Sequence, residues 1–429
     1  MQDAFLPLDY AVLVAYIAGV TAFGALLGRR QRGARDYFLG GRAIPWWAIC
    51  FSVVATETSA LTFISVPGIA YGGDFWFLQL AFGYLLGRIV IAIVLLPRYF
   101  RGELTTAYQL LGERFGPLAR RFSSIIFMVT RAFADSVRVF AAAIPVALIT
   151  GLPYWQAILI AGVFTVVYTY VGGLRAVVWV DVIQMGLYVF GGLAALYVLI
   201  RVVPGGWGGI VAAGEATDKF RIIHWEGGFA STRWLITGLI GGAFLSMASH
   251  GVDHLIVQRL LAAPSLAGAR RALIGSGIVV IFQFLLFLVV GVGLFAHYGG
   301  AAVQELGLAT TDEIFPRFIV EGLPPGISGL IVAGILAAMM STVSSSLNSL
   351  ASATTHDLYA PITGRTDEEH LLRIGRRFTL AWAVVLVGGA VLFRFLQQGT
   401  PVVVIALQIA SFTYGGLLGG FLLGVISER

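Results

Sequence analysis

Apolar runs separated by short polar segments organise this chain from end to end. A helix crossing the ~30 Å hydrocarbon core of a bilayer needs about 20 mostly apolar residues. Eleven stretches reach that length: 9–28, 44–73, 77–97, 122–149, 154–172, 178–202, 231–257, 272–297, 326–354, 378–396 and 400–425. A transmembrane barrel would show alternating segments of about ten residues, whereas these runs are continuous. The pattern predicts an all-α polytopic membrane protein of about eleven transmembrane helices, forming a single transmembrane domain over 1–429.

Charge placement orients the helices. Arg29, Arg30, Arg32, Arg35 and Arg42 follow the first stretch, which puts that loop in the cytoplasm and the N-terminus outside. Alternating the remaining loops places 19 basic residues inside, Arg175 and Arg259 among them, and 6 outside. The bias holds at every loop, and a missed or surplus helix would invert it downstream. Met1 to Tyr10 has no basic n-region and no small-residue cleavage site, so no cleaved signal peptide is expected. A multi-pass protein of the cell (inner) membrane follows, with the C-terminus of this chain inside.

Composition narrows the function classes. The chain is 58% hydrophobic and 12% charged, where soluble domains run near 45–50% and about 25%. That excludes a soluble enzyme, a disordered chain and a nucleic-acid binder, despite the net charge of +6. The single cysteine, Cys50, excludes internal disulfides and thiolate metal clusters. No GxxxxGK[ST], HExxH, GxSxG or CxxC occurs, so ATP-driven transport and the common hydrolase chemistries lose their usual support, and no enzyme is expected.

The informative residues are polar ones that interrupt apolar runs, because non-helical backbone at membrane depth must be buried in protein or line a cavity. The second stretch holds Thr56, Glu57, Thr58, Ser59 and Thr62 near mid-depth, with Pro67-Gly68 beyond. The seventh clusters Ser246, Ser249, His250, Gly251 and Asp253. Both read as discontinuous helices. They run in opposite directions, and each opens a group of five: 44–202 and 231–425. A matched pair of broken helices in inverted groups is the repeat pattern of secondary transporters.

The ninth stretch carries Ser341, Ser344, Ser345 and Asn348 at i, i+3, i+4 and i+7, so they share one helix face, with Thr342 beside them. Such hydroxyls suit a hard cation, or they hold helices together across the membrane. Asp181, at the inner end of the sixth stretch, is costly at that depth without a partner. The ninth-stretch hydroxyls with a monovalent cation would supply one; an ion pair with Arg175 is the alternative. Arg131, Asp135 and Arg138 form a one-faced charge ladder at i, i+4 and i+7, which either neutralises itself or leaves Arg138 for an anionic substrate group. Glu57 reads as a coupling or substrate residue, or as a partner of its Thr and Ser neighbours. His250 reads as a proton relay or a lining residue, and Arg88 as a snorkelling side chain.

Taken together, Ala55 to Thr62, Gly172-Gly-Leu-Arg-Ala-Val-Val-Trp-Val-Asp181, His250-Gly-Val-Asp-His-Leu-Ile-Val-Gln-Arg259 and Ala338 to Asn348, followed by Asp357-Leu-Tyr, resemble the solute:sodium symporters, the family of sodium/glucose, proline and sialic acid cotransporters. The likeness runs over essentially the whole chain. It implies a leucine-transporter-like inverted repeat of five plus five helices with one leading helix, here 9–28. The activity it implies is sodium-coupled import of a small polar organic solute by alternating access, with Na+ as the coupling ion and no other cofactor. The family's shared sodium site would use the carbonyls of Ala55, Thr58 and Ala338 and the hydroxyls of Ser341 and Thr342. A second sodium, found in relatives of the sialic acid branch, would take Asp181, Ser341, Ser344 and Ser345. Substrate would contact Ser59, Thr62, Ser246, Ser249, His250 and Gln408, with Phe63 and Trp76 further candidates, and Glu57, Asp135 and Arg138 would serve coupling or an anionic group. The chain departs from the family at three places. Thr62, Ala81 and Ser246 replace the sugar-binding side chains, no aromatic gate stands near Ser249, and the branch's carboxylate-binding arginine falls near Ala134, a turn before Arg138. The chain stops at Arg429, just after the tenth core helix, as a truncated piece or a short member would. The rival readings are a proton-coupled porter of the same fold, a non-transporting membrane sensor, and a membrane enzyme using Glu57 with His250.

Overall fold

A computed structural model describes residues 6–28, 31, 33–58, 60–102, 104–396 and 402–426. Helices dominate, and no strand occurs among the described residues. Each predicted stretch is occupied by helix: α1 (Pro7–Leu27), α2 (Trp46–Glu57), α3 (Ala60–Gly72), α4 (Phe77–Val94), α5 (Pro117–Thr150), α6 (Tyr154–Val202), α7 (Leu235–Gly251), α8 (His254–Leu261), α9 (Leu266–His297), α10 (Ile327–Ala353), α11 (Glu368–Leu396) and α12 (Val402–Ile426). Among the described residues, six helices are long and apolar enough to cross a bilayer alone, and up to eight if each bent pair is one span.

The second stretch divides into α2 and α3 at Thr58, whose backbone is extended (φ −74°, ψ 99°). The local cause is a run of side chains that compete for backbone hydrogen bonds. Thr56 Oγ1, for instance, donates to the carbonyl of Ser52 at 2.7 Å. Pro67 does not end a helix; it sits inside α3. The seventh stretch divides into α7 and α8, which are bent by 62°. Asp253 caps α8 there by accepting the N–H of Leu255 at 2.9 Å, the role expected of an N-cap carboxylate.

The fifth and sixth stretches join in α6, whose helical assignment runs through Gly173 although φ is 54° and ψ −156° there. A Cβ at this position would lie 2.4 Å from the Tyr37 carbonyl oxygen, so only glycine fits the turn. The arms on either side both reach α1, since a Cβ on Gly24 would touch Tyr168 and Val180.

The polar-faced α10 lies at the centre, packed against α6, α5, α1 and α11 and buried along nearly its whole length. Its Gly, Ala and Ser residues let neighbouring backbones approach closely. Large apolar side chains such as Phe133, Phe282 and Val384 are exposed on the outside of the bundle, where lipid rather than water would meet them. Short helices in the loops, Ala34–Leu39, Gln109–Phe115, Gly206–Ala216 and Ile314–Glu321, were not expected from the apolar pattern. They are too short to register as periodic apolar stretches.

Candidate functional site

The break after α2 faces α10. Because α2 stops at Glu57, its last carbonyls lack the intrahelical partners they would have in a continuous helix. Ser341 Oγ on α10 reaches the Ala55 carbonyl at 3.5 Å, and Thr342 Oγ1 donates to the Ala338 carbonyl at 3.1 Å. Thr58 Oγ1 donates to Gln283 Oε1 of α9 at 3.0 Å, leaving its carbonyl as the group turned out of helical register. The structure therefore brings Ser341 to the Ala55 carbonyl at the helix break, while Thr342 bonds Ala338 within α10 and Thr58 bonds α9. Hydroxyl and carbonyl oxygens so placed form the donor set a hard monovalent cation takes.

One turn deeper, Asp181 is fully buried and joins three elements. Its Oδ1 accepts Ser341 Oγ at 2.7 Å, and its Oδ2 accepts Ser52 Oγ at 2.6 Å and Arg259 Nη2 at 3.1 Å. Arg259 also donates to Ser52 Oγ (2.8 Å), to the Leu255 carbonyl (2.7 Å) and to Ser345 Oγ. Ser344 Oγ donates to the Ser341 carbonyl at 3.1 Å. The cation that meets Asp181 is thus Arg259 rather than Arg175. Placing Arg259 among the inner-loop charges is corrected accordingly: it lies in α8 and is fully buried. An arginine just past an apolar run looks like a flanking charge, and only the bend between α7 and α8 turns it inward.

Arg88 requires a second correction. It does not snorkel; it is fully buried, pairs with Glu57, and donates to Ser276 Oγ of α9 at 2.6 Å. His250 Nε2 lies 3.6 Å from the same Glu57 carboxylate, and its Nδ1 lies 2.8 Å from Ser249 Oγ.

The charge ladder on α5 gains a member from another helix. Arg131 holds Asp135 through two bonds of 2.5 and 2.6 Å and also donates to Asp253 Oδ2 at 2.8 Å. Tyr414 of α12 donates to the same Asp253 oxygen at 2.8 Å, and Ser346 bonds Asp135. Two carboxylates therefore face two arginines. Arg138 makes only a 3.5 Å contact with Asp135 and remains partly exposed.

A cavity of about 770 Å³ opens between these networks. Thr56, Glu57, Thr62, Ser246, Ser249, His250, Arg138 and Asp253 line it, and it extends to Ser65 and Asp312 in the direction of the loop assigned to the outside. Asp312 carries a carboxyl raised above its usual value, chiefly by burial. Ser246 Oγ and His250 Nε2 are buried without hydrogen-bond partners among the described residues. Two expected contacts lie elsewhere: Phe63 is buried against Phe287 and Phe315, and Trp76 packs edge-on against Phe77 at the start of α4. Ser59 and the side chain of Gln408 lie outside the described residues. From sequence Arg88 and Arg259 read as flanking charges, and Ser52 and Tyr414 are given no role. Their partners are 31 to 161 residues away along the chain, beyond any spacing rule.

Known proteins share this architecture. The profile of the sodium:solute symporter family matches residues 37–429. The sodium/sialic acid symporter NanT of Aliivibrio fischeri is 30% identical over 430 residues, covering 100% of this chain and 84% of that protein. The human sodium-coupled monocarboxylate transporter 1 is 28% identical, covering 98% and 70%. A substrate-bound, outward-open structure of a Na+-coupled sialic acid symporter superposes with a TM-score of 0.89 at 28% identity, covering 99% of this chain and 88% of that one.

Proposed function

The chain belongs to the sodium:solute symporter family, and from that premise we propose that it imports a small carboxylate-bearing organic solute together with sodium. The coarser statements stand on the family and the fold: this is a multi-pass membrane transporter with the leucine-transporter-like architecture, it couples transport to Na+, and it is not an enzyme. The carboxylate is our own reading. It is supported by Arg138, which lines the cavity and is held by one long contact among the described residues, while Arg131, the other arginine there, is paired at short range. Sialic acid and monocarboxylates, named for the relatives, both carry that group.

We assign 9–28 as the leading helix and 44–202 and 231–425 as the two inverted repeats. The positive-inside pattern supports an N-terminus outside and a C-terminus of this chain inside the cell membrane. Sodium is assigned to the carbonyls of Ala55, Thr58 and Ala338 with the hydroxyls of Ser341 and Thr342. The carrying observation is the approach of α10 hydroxyls to the open carbonyl end of α2. Sodium there bridges two elements, so it stabilises whichever conformation brings them together. One sodium entering through ~100 mV gains about 2.3 kcal/mol from the potential alone. A second sodium is assigned to Asp181, Ser341, Ser344 and Ser345, where it would share the carboxylate with Arg259. Solute is assigned to Thr62, Ser246, Ser249 and His250, with Arg138 on its carboxylate.

The test is thermal unfolding in detergent, exchanging choline for sodium at constant ionic strength. A saturable, sodium-specific rise in Tm is expected. Thr342→Ala should abolish most of it, and Asp181→Ala should reduce it to a one-site curve. A flat wild-type response would overturn the sodium assignment.

A further inference from the structure

Arg88 is the least expected charge in the molecule, because it is fully buried yet belongs to neither proposed sodium site nor the solute face. Its surroundings are rigid. On α4, a Cβ at Gly83 would fall 2.6 Å from the Leu239 carbonyl oxygen of α7, and one at Gly87 would fall 2.3 Å from that of Ala243. The backbones of α4 and α7 are therefore in direct contact immediately beside Arg88. From the other side, Ser276 of α9 bonds the guanidinium at 2.6 Å. A Cβ on Gly277 would meet the Arg88 side chain at 3.1 Å. Arg88 is thus embedded in a unit of α4, α7 and α9, and its guanidinium reaches out of that unit to Glu57.

Glu57 is the last helical residue before the first break, flanked by Ala55 and Thr58, whose carbonyls are assigned to sodium. The same carboxylate has His250 of α7 at 3.6 Å, and His250 contacts Ser249 at 2.8 Å on the solute face. Glu57 is therefore a branch point: it holds Arg88 on one side and approaches His250 on the other, while a Cβ at Gly87, beside Arg88, would lie 3.0 Å from the Ser246 Cβ on the same face of α7. Ser246 Oγ, buried without a hydrogen-bond partner among the described residues, lies on that face, and Ser246 lines the cavity.

We propose that Arg88 is the positioning residue that couples sodium to solute, by locking the broken end of α2 to the solute-binding face of α7. The inference rests on the sodium assignment above and deepens it. Sodium that draws the Ala55 and Thr58 carbonyls toward α10 shifts Glu57, and the guanidinium, fixed in the unit of α4, α7 and α9, passes the shift to the solute face of α7. Without Arg88 both sites persist, but occupancy of one no longer changes the other. Coupling is reciprocal, so a single direction suffices to measure it. The physical warrant is the Arg88–Glu57 pair, which joins the packed α4–α7 unit to the end of α2, rather than the proximity of the two sites.

The experiment needs no solute. A Cys50→Ala/Ser249→Cys parent reports the solute face through the rate of alkylation by a water-soluble thiol reagent, with sodium or with choline. Sodium uptake is followed in parallel as the rise in Tm. In the parent, sodium is expected to change the alkylation rate by at least roughly 5-fold, the lower end of ordinary allosteric coupling. In the same background, Arg88→Gln should keep the sodium-dependent rise in Tm while the change in alkylation falls under about 2-fold, well below that range. Arg88→Gln leaves Glu57 without its cation, so the double variant Glu57→Gln/Arg88→Gln, which buries no charge there, serves where the single one does not fold. Arg88→Lys restores part of the response. A parent whose Tm ignores sodium overturns the sodium assignment and this inference with it. A parent that takes up sodium without any change at 249 overturns this inference alone, as does a folded Arg88 variant that keeps the full change.

Discussion

At the first helix break the chain presents the carbonyl end of α2; at the second it presents the amide end of α8. The two ends are finished differently. At the end of α2 the Ala55 carbonyl is met by the Ser341 hydroxyl of α10 at 3.5 Å, and we propose that it and the Thr58 carbonyl serve a cation. The α8 amides are satisfied from within, because Asp253 accepts Leu255 N–H and is itself held by Arg131 and Tyr414. A helix N-terminus usually offers a ready anion site, and in transporters a half-helix N-terminus can meet an anionic solute. Here a carboxylate already occupies that position. The difference fits our proposal, which puts sodium at a helix terminus and the anionic group on a side chain, Arg138.

The strongest test of this contrast removes the carboxylate from each break in turn. Glu57→Ala leaves the fully buried Arg88 with no carboxylate among the described residues, which should cost about 4 kcal/mol, as unpairing a buried ion does. Asp253→Ala removes a cap, but Arg131 keeps both bonds to Asp135, so the cost should be nearer ~2 kcal/mol. Unfolding by denaturant in detergent measures both, and equal or reversed losses would break the comparison.

A smaller effect sharpens its functional half. Arg138→Gln should raise the half-saturating concentration of a carboxylate solute roughly 10- to 100-fold, as expected for a lost charged hydrogen bond. The sodium-dependent Tm rise should not change. An unaltered solute affinity in uptake assays would mean that the anionic group is held elsewhere, and would reopen the α8 terminus as its site.

The smallest effect lies at the end of α3, where the same principle recurs with a side chain as the cation. Lys219 donates to the carbonyls of Ala70 (3.1 Å), Tyr71 (2.7 Å) and Gly73 (3.1 Å) at the end of α3, and lies 3.8 Å from the Phe295 ring centre. Burial pushes its pKa down to about 8. The folded chain therefore releases this proton at lower pH than the unfolded chain. Between pH ~8 and ~10.4, the ordinary lysine value, the unfolded state binds more protons, so this group's contribution to stability rises with pH. The Tm of the wild type should accordingly gain on that of Lys219→Met across this window. A difference that shrinks with rising pH would contradict the lowered pKa.

Much of the architecture was legible because membranes impose simple rules on sequence. Apolar length marks the helices. The hydroxyl face of α10 follows from i, i+3, i+4 spacing alone, and both breaks are visible as polar clusters in apolar runs. Long-range pairing was not legible. Asp181 asked for a partner, but the sequence offered Arg175 nearby and not Arg259, which is 78 residues away. Arg88 looked like an interfacial side chain because nothing in its own helix shows that Glu57 and Ser276 surround it.

The division has a physical basis. Hydrophobicity and helical period act over a few neighbouring residues, so the amino-acid sequence by itself determined where the long helices lie and where two of them break. Ion pairs and hydrogen bonds between helices depend on which faces meet after packing. Close approach at Gly87, the bend between α7 and α8, and the reversal at Gly173 set those faces. Only the tertiary structure decided that Arg259 meets Asp181, that Arg88 meets Glu57, and that Arg138 is left facing the cavity, because each pairing is made by helices distant in the chain and adjacent in space.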